Sequence, residues 1–155
     1  MATTPNTTFT AGAILTATQQ NNFPRGMMTA SVDKATASDA TITAEEVQIT
    51  GSSFTAVANR LYKITYHEPS IYGSATAGYT LRIRQTNLAG TVLNASSTWG
   101  STLGYPNVGI CIAYTTFAAG TQNVVATLAC NTGTGQALRS ATQYASLVVE
   151  DIGSA

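Results

Sequence analysis

Two runs near the middle of the chain set its pattern. Leu61-Tyr62-Lys63-Ile64-Thr65-Tyr66-His67-Glu68 and Gly78-Tyr79-Thr80-Leu81-Arg82-Ile83-Arg84 both alternate apolar and polar residues with period two. Successive side chains of a strand point to opposite faces. Such alternation, rich in β-branched and aromatic residues, therefore predicts half-buried strands. On this reading Leu61, Ile64 and Tyr66 share a buried surface with Tyr79, Leu81 and Ile83, while Lys63, Arg82 and Arg84 reach water. A loop holding Pro69, Tyr72 and Gly73 is expected between the two runs.

More strands are predicted at short intervals: Gly26 to Val32, Thr41 to Thr50 with an irregularity near Glu45-Glu46, Phe54 to Val57, Thr91 to Ala95, and Tyr144 to Val149. Val108 to Phe117 and Thr121 to Cys130 read as a hairpin about Ala119-Gly120, and Leu138 to Ser140 as extended chain. Asp33 to Ala40 and Asn131 to Gly135 read as loops, Asn59 as a left-handed turn residue, and Ser96 to Asn107 as the longest irregular stretch. Roughly eight to ten short strands with turn signals about every 8–12 residues predict an all-β fold, an antiparallel β-sandwich of jelly-roll type.

The start of the chain has a different pattern. Thr16 with Gln19 three residues on forms a capping box, and Pro24 forbids continuation, so one short helix is predicted over about Ala17 to Asn22. Residues 1–24 are expected as an N-terminal extended arm carrying that helix, and 25–155 as the sandwich domain. Phe9, Ile14, Leu15 and Phe23 are too few to form a core alone. They bury either against their own domain, as a strap, or against another protein, as an anchoring arm. Both readings stay open at this level.

Composition narrows the classes. A chain of 155 residues fits one domain with its own core. Only 9% of residues are charged, against roughly 25% in an average domain. The resulting hydroxyl-rich surface suits a member of a fixed assembly. Seven basic and seven acidic residues cancel, and no Lys/Arg cluster forms a footprint for nucleic acid. No apolar run approaches the roughly 20 residues that span a bilayer, so no membrane contact is expected. The first residues lack the basic and apolar regions of a secretory signal.

No catalytic, cofactor-binding or metal-ligating residue is nominated. His67 stands beside Glu68, but neighbours in a strand face opposite ways and do not cooperate. No nucleophile elbow, phosphate-cradling glycine loop or metal spacing is present, and the scattered acids offer no pair for glycoside hydrolysis. If the predicted hairpin forms, Cys111 pairs near Leu128, on the same face as Cys130. Two reduced, largely buried thiols are expected there, because a disulfide between adjacent strands is geometrically demanding. Tyr66, Tyr72, Trp99 and Tyr105 fall in or beside the two longest loops. Tyr72, Trp99 and Tyr105 are the candidate surface-loop contacts, to a host-surface glycan for example. Packing of a loop or a subunit interface is the competing and favoured role of such aromatics.

Three stretches carry a family resemblance. Phe9-Thr10-Ala11-Gly12-Ala13-Ile14-Leu15-Thr16-Ala17 with Asn21-Asn22-Phe23-Pro24-Arg25-Gly26 resembles the opening of small virion proteins of tailed bacteriophages. Phe54-Thr55-Ala56-Val57-Ala58-Asn59-Arg60-Leu61-Tyr62-Lys63-Ile64 is similar to a strand–turn–strand in the same proteins, and Leu147-Val148-Val149-Glu150-Asp151-Ile152-Gly153 resembles their close. The resemblance implies a non-enzymatic β-sandwich, often a homotrimer, mounted on the capsid surface or the tail. The implied partners are the major capsid protein or tail proteins. A decoration or head-fibre-like role leads. A tail-fibre or tail-tip component, or a free carbohydrate-binding module, is the alternative.

Overall fold

In the computed structural model, which describes residues 11–100 and 106–155, the alternation around Tyr66 becomes one 14-residue strand. One helix, α1 (Ala17–Asn21), precedes it among the described residues, together with β1 (Gly26–Met27), β2 (Asp33–Ala35), β3 (Asp39–Ile42), β4 (Glu46–Thr50) and β5 (Phe54–Ala56). The long strand is β6 (Arg60–Gly73). After it come β7 (Ala77–Gln85), β8 (Val92–Gly100), β9 (Asn107–Thr115), β10 (Gly120–Gln122), β11 (Val124–Cys130), β12 (Gly135–Ala137) and β13 (Ala145–Ser154).

All pairings are antiparallel, and the strands form two main sheets, as expected for an all-β sandwich. In the first, β6 pairs with β13 and then β12 on one side and with β9 on the other. β1 and β2 extend it beyond β13, and β3 beyond β12. The second sheet runs β4-β11-β7-β8, and β5 with β10 makes a separate two-stranded ribbon. Consecutive strands β6 and β7 thus lie in different sheets. Ile64 and Tyr66 from one sheet and Tyr79, Leu81 and Ile83 from the other are all buried in a single core.

The period of two is strict along β6: Arg60, Tyr62, Ile64, Tyr66 and Glu68 are buried, and Leu61, Lys63, Thr65 and His67 are half-buried on the opposite face. Leu61 and Ile64 differ by an odd number of positions, so they do not share a face as expected. The predicted loop at Pro69–Gly73 is also replaced by strand. The register between β6 and β9 shifts between Glu68 and Ile71, and this irregularity accommodates Pro69, which has no N–H for a ladder.

The expected hairpin of Val108 to Phe117 with Thr121 to Cys130 does not form. β9 joins β6 in one sheet and β11 joins β7 and β4 in the other, the chain crossing between sheets through the ribbon strand β10. Cys111 therefore lies opposite Tyr66 and Cys130 opposite Tyr79, and both thiols are free and buried. Burial raises the Cys111 pKa. Smaller differences follow the same logic of long-range pairing. Gly26 to Val32 gives only β1, because β2 begins at Asp33 within an expected loop, and β3 and β4 are divided around Ala44-Glu45. Strand β8 runs on to Gly100 and β12 precedes Leu138.

Two packing details hold the ends of the sandwich. Phe54, Tyr62 and Phe117 pack tilted and edge-to-face in a triangle with centroids 5.5–5.9 Å apart, and the Tyr62 hydroxyl accepts the Val57 N–H at 2.8 Å. The Tyr79 side chain occupies a slot whose walls are Gly73, Gly100 and Gly135, from β6, β8 and β12. A Cβ at any of these positions would strike it. Its hydroxyl donates to the Tyr72 carbonyl at 2.8 Å.

Candidate functional site: the N-terminal root and the sandwich edge

The capping box forms as the sequence requires. Thr16 Oγ1 accepts the Gln19 N–H at 3.2 Å, and Gln19 Oε1 accepts the Thr16 N–H at 2.9 Å. The helix ends at Asn21, and the chain then meets the sandwich at a buried ion pair. Arg60 is 4% exposed and Asp151 0%. Arg60 Nε donates to Asp151 Oδ2 at 2.9 Å and Nη2 to Oδ1 at 2.6 Å. The same guanidinium donates through Nη1 to the Asn21 carbonyl and through Nη2 to the Phe23 carbonyl at 2.6 Å. A planar fork of five donors makes this joint attachment geometrically natural, which a lysine would not. The Arg25 N–H then donates to the Asp151 carbonyl and the Met28 N–H to the Val149 carbonyl, extending the attachment along β13.

Upstream of the helix the cover thins out. Ile14 is 93% exposed, and Leu15 is 41% exposed. Phe23 keeps 38% of its surface in water. The strap reading therefore describes residues 21–28, whereas Ile14 stands almost wholly in water and Leu15 is only partly covered. Phe9 lies outside the described residues.

The aromatic candidates separate. Trp99 is 67% exposed on β8, opposite Gly78 in the ladder. Tyr72 is only 7% exposed, which removes it as a surface contact. It belongs to the continuation of β6 beyond the register shift, opposite Gln136, where a loop was expected. Tyr66 is fully buried, and Tyr105 lies outside the described residues. Trp99 alone of the described candidates stands at the surface.

A second buried network was missed. Arg139, from the loop after β12, donates through Nε to Glu68 Oε1 at 2.8 Å and through Nη2 to Oε2 at 2.6 Å. The Tyr66 hydroxyl donates to Glu68 at 2.8 Å, and Arg139 reaches Gln48 of the other sheet at 2.5 Å. Burial, reinforced by the Glu68 charge, pushes the Tyr66 hydroxyl pKa well up. Parity held the signal for both networks: Arg60 and Glu68 fall on the inward phase with Tyr62, Ile64 and Tyr66, and a buried charge demands a partner. His67, on the outward phase, lines a shallow groove with Pro69, Tyr144 and Ser146, away from Glu68. Among the described residues no group of three or more His, Cys, Asp or Glu is placed to hold a metal ion, and no helix is long and apolar enough to cross a membrane.

No protein-family model and no curated protein matches the chain. Among solved structures it is similar to a carbohydrate binding module, CBM6cm-2 from Cellvibrio mixtus lichenase 5A in complex with cellotriose. That match has 10% identity and a TM-score of 0.43, covering 79% of this chain and 97% of that one. It is also similar to the CBM22-1 xylan-binding domain from Paenibacillus barcinonensis Xyn10C, with 10% identity and a TM-score of 0.37, covering 83% and 90%. At these values the fold and the site rest on this chain's own geometry.

Proposed function

We propose that this chain is a non-enzymatic structural protein of a tailed-phage virion, displayed on the capsid surface as a decoration or head-fibre-like protein and docked through the segment ahead of α1. The observation that carries the reading is the contrast at the N-terminal root. Residues 21–28 are fixed to the sandwich by a buried ion pair and β13, and ahead of the helix the chain presents Ile14 almost wholly, and Leu15 in part, to solvent. An exposed apolar segment with a rigid root is what an anchoring arm needs, because a load on the arm passes directly into the sandwich. The resemblance of the chain's opening, centre and close to virion proteins, and its low surface charge, support the same reading.

The test is the copy number per purified particle, measured by quantitative mass spectrometry against the major capsid protein. It is run beside particles offered the Ile14→Asp/Leu15→Asp variant. Hundreds of copies, lost on substitution while the sandwich keeps its fold, are expected. A few to a few tens of copies move the protein to the tail, and absence from particles overturns the virion reading.

A second reading rests on Trp99. An indole two-thirds exposed at a sandwich edge is a platform on which a sugar ring can stack. Binding of the isolated protein to cell-wall glycan, abolished by Trp99→Ala, would favour a carbohydrate-binding role.

A further inference from the structure

Strand β9 is packed inside out. Its inward positions hold Gly109, Cys111 and Ala113, all small, and its outward positions hold Val108, Ile110, Ile112 and Tyr114. The outward four are 54%, 52%, 36% and 61% exposed. A one-residue slip would bury them, but the interior has no room. A Cβ on Gly109 would lie 2.7 Å from Ile71 Cδ1 and from Leu81 Cδ2. The register is therefore fixed with the large apolar side chains outside.

The free edge of β9 is not open to another strand. Asn94 Nδ2 of β8 donates to the Ile112 carbonyl at 2.6 Å, and Ser96 Oγ donates to the Ile110 carbonyl at 2.5 Å. Asn107 closes the same seam onto the Trp99 carbonyl. With these edge carbonyls engaged, strand addition is blocked, and only the outer face is available for contact.

That face carries almost no charge. On the adjoining strand β6, Lys63 lies opposite Tyr114 and is paired with Glu150 at 3.1 Å; Thr65 lies opposite Ile112 and His67 opposite Ile110. The Thr65 hydroxyl, between Ile112 and Val148, is already shielded from water and has no hydrogen-bond partner. A charged partner would find nothing to match here, whereas an identical copy meets the stripe without repulsion. The four side chains leave on the order of 300 Å² of apolar surface in water. A standard interface takes about 800 Å² from each partner, with a dry centre and a polar rim. The stripe, with Thr65 shielded beneath it, fits the dry centre, and Lys63 and His67 fit the rim.

We propose that the outer face of β9 is the contact between copies of this chain, Val108, Ile110, Ile112 and Tyr114 of one copy meeting those of the next. The contact does not use the N-terminal arm, so it stands or falls independently of the docking reading.

Sedimentation equilibrium of the whole chain at micromolar concentration tests it. The expected mass is a multiple of 16.0 kDa, falling to the single-chain mass in Ile110→Lys/Ile112→Lys with an unchanged circular dichroism spectrum. Should that variant fail to fold, Val108→Ser/Tyr114→Ser is read instead and should weaken association at least tenfold. A chain lacking residues 1–16 should associate as the whole chain does. A single-chain mass for the unsubstituted protein, an oligomer that survives the stripe substitutions, or one lost with residues 1–16 overturns the proposal.

Discussion

Replacing Arg60 by Met separates what the buried ion pair does for the sandwich from what it does for the arm. The substitution keeps most of the side-chain volume and removes the guanidinium, leaving Asp151 fully buried with the Gly153 N–H at 3.0 Å as its remaining side-chain hydrogen bond among the described residues. Breaking one partner of a buried pair costs about 3–5 kcal/mol, because the other charge is stranded. In Arg60→Met/Asp151→Asn the stranded charge is gone and an amide oxygen still accepts from Gly153. The cost should fall to about 1–3 kcal/mol, that of an incompletely paired polar group. Neither variant can hold the Asn21 and Phe23 carbonyls. Urea denaturation gives the two stabilities, and amide exchange at Arg25 and Met28, whose N–H groups donate to β13, reports the arm. Exchange at both amides should accelerate equally in the single and double variants while their stabilities differ. Native-like protection in the double variant would refute a root held by Arg60. A loss below about 1 kcal/mol in the single variant would refute the energetic account of the pair.

Other outcomes follow from the same structure. Glu45 is held by Arg84 at 2.7 Å, and with Thr127 and Arg82 this keeps its carboxyl at about 2, below the ordinary 4.5. A lowered folded-state pKa gives stability that is complete above pH 4.5 and lost as pH falls toward 2. Solvent screening reduces an unscreened value of about 3 kcal/mol to about 1–2 kcal/mol. Acid titration of Glu45→Gln by denaturation should show a flatter acid limb, and an unchanged limb would exclude this group. Gly109→Val should destabilise by about 1–3 kcal/mol through collision with Ile71 and Leu81, read by thermal melting. Trp99→Ala should alter stability by no more than about 0.5 kcal/mol, and a larger loss would mean that the indole packs rather than waits for a ligand.

The alternation of β6 and β7 was legible because each side chain's face follows from local sequence, and the same holds for the Thr16–Gln19 box and for Asn59, whose φ is 60°. Partner choice was not legible. Val108 to Phe117 and Thr121 to Cys130 look like a hairpin because they are adjacent and of similar length. Nothing local reveals that one pairs with β6 and the other with β7. The buried pairs join residues 91 and 71 positions apart, Arg60 with Asp151 and Glu68 with Arg139, so no short motif exposes them. Tyr72 was misplaced for a related reason. Pro69 suggested a turn, but the ladder absorbed it in a register shift. At the arm, Ile14 and Leu15 were identifiable as apolar residues lacking a local core, while the attachment of the chain after the helix, through Arg60 to the Asn21 and Phe23 carbonyls, was not.

The slot around Tyr79 has a consequence for how this sequence can change. Three strands distant in the chain each surrender a side chain to one ring, at Gly73, Gly100 and Gly135. Drift at any of these glycines is closed while the tyrosine remains, since even alanine collides. A shorter residue at 79 would leave a void that alanines at 73 and 100 could refill, whereas a Cβ at Gly135 would still lie 2.9 Å from Cys130 Cβ, so positions 73, 79 and 100 travel together while 135 stays glycine. Descendants of this chain should therefore fall into two groups, one with the ring and three glycines and one with a smaller residue and bulkier walls at 73 and 100. Intermediates between the groups would carry either a clash or a cavity.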